Sequence, residues 1–217
     1  MRRTARIRRR PGLRLAKATA AAAALALAGA ALPGLAAAGT GGFVGTGQLP
    51  GPRMLAAPAV LGDGRVLLTG GFGYSGFLAS NEIFDPASGV FTTAAPLVSP
   101  RFGHTATTLF DGRVLVAGGA NLTVQFLASA SLYDPATNAW TELGPMTVPR
   151  AFATATLLLD GRVLIAGGRN LTGHAIASAE VFDPASGAFT AVGSLAGARD
   201  HATANLLRDG RVLVAGG

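Results

Sequence analysis

Four arginines, Arg53, Arg101, Arg150 and Arg199, recur at steps of 48, 49 and 49 residues. A guanidinium presents a planar fork suited to carboxylates, so Arg101, Arg150 and Arg199 are candidate contacts for acidic ligands. Their recurrence in phase gives them a second reading, as struts that hold neighbouring loops. The three histidines do not form a metal set. His104 and His201 follow their arginines by three and two residues, which on a strand turns them to opposite faces, and His174 sits by itself in a loop as a candidate ligand contact. No zinc, calcium or EF-hand spacing occurs, so no metal and no cofactor is expected. Asn121-Leu122-Thr123 and Asn170-Leu171-Thr172 fit the glycosylation sequon but occupy equivalent places, and repetition explains both.

The elements that carry these residues are set by the same period. Asp-Gly pairs begin at Asp63, Asp111, Asp160 and Asp209, and Gly-Gly pairs at Gly70, Gly118, Gly167 and Gly216, again stepping by 48, 49 and 49. A period near fifty built of short apolar runs is the length of a four-stranded propeller blade, and no 3.6-residue rhythm competes with it. In the third copy, residues 152–159 read as strand A. Asp160-Gly161 reads as a two-residue hairpin with positive φ at both central positions. Residues 163–166 form strand B, apolar on both faces, ending at Gly167-Gly168. Residues 178–182 form strand C, Asp183 to Gly187 a turn, and strand D starts at Ala188. Small residues in every strand A suit the innermost position around a channel. Aromatics seven apart, Phe84 and Phe91, Tyr133 and Trp140, Phe182 and Phe189, join C to D.

By parity the short A-to-B and C-to-D turns share one face of the disc, and the longer B-to-C and D-to-A connections share the other. The B-to-C loops differ between copies: residues 72–77 with Tyr74 and Phe77, 121–126 with Asn121 and Gln125, and 169–176 with Arg169, Asn170 and His174. Recognition of a partner is expected there.

The leading Arg, the Asp-Gly turn, the apolar strand ending in Gly-Gly, and Tyr133 followed at a fixed distance by Trp140 resemble the kelch repeat. The resemblance runs from Phe43 to Gly217, with Phe replacing Tyr and Trp in two copies. It implies an all-β, kelch-type β-propeller of four-stranded antiparallel blades, present here as a partial ring of about 3.5 repeats. It implies an architecture and no particular activity. Copper radical oxidases and sugar-handling enzymes resemble this architecture too, but galactose-oxidase-type chemistry requires a Tyr-Cys crosslink and copper-binding His and Tyr, and the chain has no cysteine.

The net charge of +7 is misleading about partners. Eight of the eighteen basic residues lie at or before Lys17, and the remaining ten arginines face all eleven acids, a net charge of −1. Without a basic surface, counterion release cannot drive nucleic-acid binding, and none is expected. Residues 1–38 read as a secretory signal: a basic stretch, an apolar run over 18–32, Pro33-Gly34, and Ala36-Ala37-Ala38. Fifteen residues would cover roughly 22 Å as a helix, short of a bilayer core, so no span is expected after signal removal.

The expected organisation is therefore a signal at 1–38 and an incomplete propeller over 39–217. Within it, 39–52 is an orphan strand D around Phe43, 53–100, 101–149 and 150–198 are full repeats, and 199–217 is a truncated fourth, as in a fragment of a longer protein. The function expected is an exported, non-catalytic scaffold binding a protein or glycan ligand through its B-to-C loops. The alternative is the propeller portion of a secreted carbohydrate-active or galactose-oxidase-like enzyme whose catalytic residues lie elsewhere.

Overall fold

The computed structural model describes residues 45–121 and 126–217. The signal segment, Phe43 and Gln125 lie outside the described residues. Residues 45–49 are not in a strand, and Gly47 donates its N–H to the Gly89 carbonyl at 2.8 Å.

Sixteen strands follow in chain order among the described residues. Blade 1 contains β1 (Ala57–Val60), β2 (Val66–Thr69), β5 (Asn81–Asp85) and β6 (Val90–Ala94), with a small hairpin, β3 (Phe72–Gly73) and β4 (Gly76–Phe77), in its B-to-C loop. Blade 2 contains β7 (Thr105–Thr108), β8 (Val114–Ala117), β9 (Ala130–Asp134) and β10 (Ala139–Glu142). Blade 3 contains β11 (Thr154–Leu157), β12 (Val163–Ala166), β13 (Ala179–Asp183) and β14 (Ala188–Val192). The pair β15 (Thr203–Leu206) and β16 (Val212–Ala215) begins a fourth. Each of the first three is a four-stranded antiparallel sheet in the order A-B-C-D. The innermost strands β1, β7, β11 and β15 pack side by side in that order, so the sheets are radially arranged and the ring does not close among the described residues.

Strand B must be apolar on both sides because it is pressed between two neighbours. Val114 and Val116 of β8 pack with Leu67 and Ile83 of blade 1, whereas Leu115 and Ala117 pack with Val163, Ile165 and Phe182 of blade 3. Burying each such Leu, Ile or Val contributes about 2 kcal/mol, and this inter-blade stacking is the core. The aromatics seven apart lie directly opposite each other on strands C and D, Phe84 on Phe91, Tyr133 on Trp140 and Phe182 on Phe189, with centroids 4.8, 5.1 and 5.0 Å apart.

The Gly-Gly pairs end strand B where the next blade arrives. Gly71, Gly119 and Gly168 donate to the carbonyls of Arg101, Arg150 and Arg199 at 2.8, 2.9 and 2.9 Å. The preceding glycine has a positive φ, and at Gly167 an added Cβ would sit 2.5 Å from the Arg199 carbonyl oxygen. No L side chain satisfies both constraints.

Two local expectations are corrected. The Asp-Gly hairpins are not two-residue turns: Gly161 N–H bonds to the Leu158 carbonyl, Leu158 N–H to the Arg162 carbonyl, and positive φ occurs at Gly161 but not at Asp160. This is a three-residue loop closing on a left-handed glycine. Asp160 is instead fixed by its carboxylate, which accepts from the Arg162 amide at 3.1 Å and from its Nε at 2.8 Å. Strand A is also shorter than read, because Phe152 stands before it in the left-handed region, φ 57°.

Candidate functional site on the loop face

The D-to-A connections and B-to-C loops do share a face, joined by bridges from Met54 to Phe72, Phe102 to Ala120 and Ala151 to Arg169. Beneath them lie the recurrent arginines. Arg150 donates from Nη1 to the Gly167 and Ser178 carbonyls at 2.9 and 2.8 Å, and from Nη2 to Ser178 Oγ at 3.1 Å and Glu180 Oε1 at 2.8 Å. Arg53 repeats this with Gly70, Ser80 and Glu82. Arg101 repeats the carbonyl contacts with Gly118 and Ser129. Arg101 and Arg150 are each 1 % exposed. Their guanidinium groups fasten the end of strand B to the start of strand C and so set where each B-to-C loop leaves the blade. Burial pushes all three of Arg53, Arg101 and Arg150 below the ordinary guanidinium range, and the glutamates beside Arg53 and Arg150 oppose that shift. Arg199, half-buried, reaches the Gly216 carbonyl at 2.7 Å.

Two residues after each arginine the backbone turns left-handed, at Leu55, Gly103, Phe152 and His201. These four residues are linked across the blades: Gly103 N–H donates to the Leu55 carbonyl at 3.0 Å, Phe152 to Gly103 at 2.7 Å and His201 to Phe152 at 3.1 Å. Left-handed backbone at non-glycine residues is strained, and here three instances gather at one mouth.

Over this hydrogen-bonded arc runs a strip of rings. Phe72, Phe77, Phe102, Phe152 and His201 follow one another with centroid spacings of 5.2, 5.1, 5.8 and 4.3 Å. Gly103 makes room for it, since a Cβ there would stand 2.5 Å from Phe152 Cε1. At the His201 end, Asp200 accepts from Arg169 Nε at 2.6 Å and meets His201 Nδ1 at 2.7 Å. The bonds from Arg169, then that with His201, hold the Asp200 carboxyl below its usual range. Tyr74, at the tip of the blade 1 hairpin, is 93 % exposed.

The residues expected from the sequence thus divide. Tyr74, Phe77 and Arg169 stand on the strip or at its ends. Asn170 is occupied within its own loop, its Oδ1 accepting from Thr172 Oγ1 at 2.7 Å and from the amides of Thr172 and His174, while exposed His174 meets Thr172 Oγ1 at 2.9 Å. Asn121 opens the blade 2 loop. Arg101 and Arg150 lie underneath as positioning residues. Sequence reasoning missed Phe102, Phe152 and Asp200, and saw His201 only as half of a rejected metal pair. The available signal was the bulky residue one or two places after each arginine, before the run of small residues.

The Kelch motif family profile matches residues 100–147. That segment is blade 2, the copy that carries Tyr133 and Trp140, and the sheets before and after it have the same strand order and the same arginine contacts. Blade 2 carries a kelch motif, and the neighbouring sheets repeat its architecture. No curated protein matches the chain. A kelch motif suggests a protein-binding scaffold of the propeller type. Among the described residues no helix is long and apolar enough to cross a membrane, and no three His, Cys, Asp or Glu side chains gather as a metal would need.

Proposed function

We propose that this chain is an exported, non-catalytic scaffold that binds a protein or glycan ligand on its loop face. The observation that carries the reading is the ring strip from Phe72 to His201, with exposed Tyr74 at one end and the Arg169–Asp200–His201 group at the other. Aromatic surface flanked by a few fixed polar groups is the composition of recognition sites, and strained backbone held by inter-blade bonds keeps it preorganised. Aromatic rings beside a carboxylate and a guanidinium suit a sugar as well as a peptide, which is why both ligand classes are retained. The enzyme alternative finds no cysteine in the chain for a copper-radical centre.

The full chain, fluorescently labelled, is applied to a glycan array and to an extracellular-protein array. Tyr74→Ser and Phe152→Ser are expected to remove the hits of the parent chain. Hits that survive both substitutions defeat the reading. Export is tested separately by fusing residues 1–38 to a phosphatase active only outside the cytoplasm, and an inactive fusion removes that part.

A further inference from the structure

In blades 1 and 3 the buried guanidinium ends on a carboxylate, Arg53 on Glu82 at 3.3 Å and Arg150 on Glu180 at 2.8 Å. Blade 2 departs from this. Its equivalent strand-C position is Ser131, opposite Val116 as Glu180 is opposite Ile165. Arg101 has no ion pair among the described residues, although it is 1 % exposed; its Nε has no hydrogen-bond partner, but neither has Arg53 Nε in blade 1, so the missing carboxylate is what sets blade 2 apart. Ser131 Oγ, equally buried, has none either. In blade 3 the Glu180 carboxylate also accepts from the amides of Thr147 at 2.7 Å and Val148 at 3.1 Å. The corresponding amides for blade 2 are those of Val98 and Ser99, which have no acceptor among the described residues. By equivalence with blade 3, a buried cation, a buried hydroxyl and two more exposed amides stand around the place that a carboxylate fills there. The Gly118 and Ser129 carbonyls and the Ser129 hydroxyl hold Arg101, but no carboxylate lies within ion-pair distance, and a buried charge so placed is unfavourable.

We propose that Arg101, Ser131 and the amides of Val98 and Ser99 form a site for a small monocarboxylate of formate size between blades 1 and 2. Ser131 lacks the carboxylate that glutamate brings to this position in blades 1 and 3, and formate supplies one, its oxygens accepting from the Ser131 hydroxyl as well. Arg101 and the amides donate to those oxygens, as Arg150, Thr147 and Val148 donate to Glu180. Val98, 69 % exposed, marks the side from which the anion enters. Glu142 is the nearest alternative source of negative charge: it lies opposite Ser131 on β10 and is exposed. It acts on Arg101 beyond ion-pair distance.

The test is thermal unfolding of the full chain in sodium formate against sodium chloride at matched ionic strength. Formate is expected to raise the midpoint along a saturable curve, following the logarithm of one plus ligand over Kd, with acetate weaker and propionate inert. Ser131→Glu fills the site and is expected to raise the midpoint without formate and to abolish the response. An equal response in the parent and Ser131→Glu, or none in the parent, overturns the proposal. Glu142→Gln must leave the formate response intact; a response present only in Glu142→Gln makes Glu142 the counter-ion and overturns it too. Ser131→Leu, which fills the volume without charge, must remove the line broadening of 13C-formate seen with the parent, and broadening that persists is equally fatal.

Discussion

Arg150 and Glu180 make a 2.8 Å ion pair in which both side chains are 1 % exposed, at the root of the blade 3 B-to-C loop. Burial pushes the Glu180 carboxyl up, but the amides of Thr147 and Val148 and the Arg150 guanidinium outweigh it and hold it below the usual range. Glu180→Ala leaves Arg150 buried without its carboxylate and is expected to cost about 3–5 kcal/mol in urea unfolding. Because the folded value is lowered, the parent's contribution from Glu180 is complete above the unfolded carboxylate range and fades as pH falls through the folded value. A cost that is as large at strongly acidic pH as at neutral pH contradicts this account.

Much of the blade was legible because two periodic markers were independent of each other. The Gly-Gly pairs encode close approach of the next blade, at Gly167 for instance, and the Phe182–Phe189 spacing encodes one register of strands C and D. The arc at the mouth was not legible. Phe152 looks like the first residue of an apolar strand, and nothing local says that its φ is 57° or that Gly103, 49 residues earlier, clears space for its ring. The hairpin type failed for a similar reason: Asp-Gly fits two turns, and the choice is made by the Asp160–Arg162 pairing.

His104 is a buried group whose protonation opposes folding. Its Nε2 meets Thr69 Oγ1 at 2.7 Å across the blade 1–blade 2 boundary, and Thr69 donates onward to the Ala57 carbonyl at 3.0 Å, so His104 is the donor and Nε2 carries the hydrogen. Burial, then the Arg101 charge, lowers its pKa to about 3. An unfolded histidine binds its proton near pH 6.5, so between these values the unfolded state holds one proton more and stability rises with pH. The His104 contribution is complete above about 6.5 and drains away toward about 3, with a slope of ~1 kcal/mol per pH unit. His104→Gln keeps a donor for Thr69 without titrating, and is expected to flatten the pH dependence of the urea midpoint by about one proton. An unchanged slope refutes the burial of a neutral imidazole.

Gly167→Ala tests the inter-blade approach. The new methyl must enter a backbone at φ 67° and lie 2.5 Å from the Arg199 carbonyl oxygen, which receives the Gly168 N–H. A loss of more than about 2 kcal/mol is expected, since strain and displacement of the neighbouring blade add. Gly64→Ala is the control: its φ is 87°, but nothing lies within 4 Å of the added Cβ, so only the backbone term of about 1 kcal/mol applies. Equal losses at the two sites would show that close approach is not what the Gly-Gly pair serves.

Leu55 and Phe152 occupy equivalent left-handed positions, yet the same substitution should move them in opposite directions. Leu55 is 48 % exposed and brings no ring to the strip, so Leu55→Gly relieves backbone strain and is expected to stabilise by up to about 1 kcal/mol. Phe152→Gly relieves the same strain but removes the ring that packs on Phe102 at 5.8 Å and on His201 at 4.3 Å. Aromatic contacts of this kind are worth about 1 kcal/mol each beyond their buried area, so that exchange is expected to destabilise. Urea midpoints of the two variants decide the matter. A stabilised Phe152→Gly would mean that the strip is incidental to the fold. A destabilised one, together with lost ligand binding, would mean that strain is retained at this mouth because it holds a ring where a partner meets it.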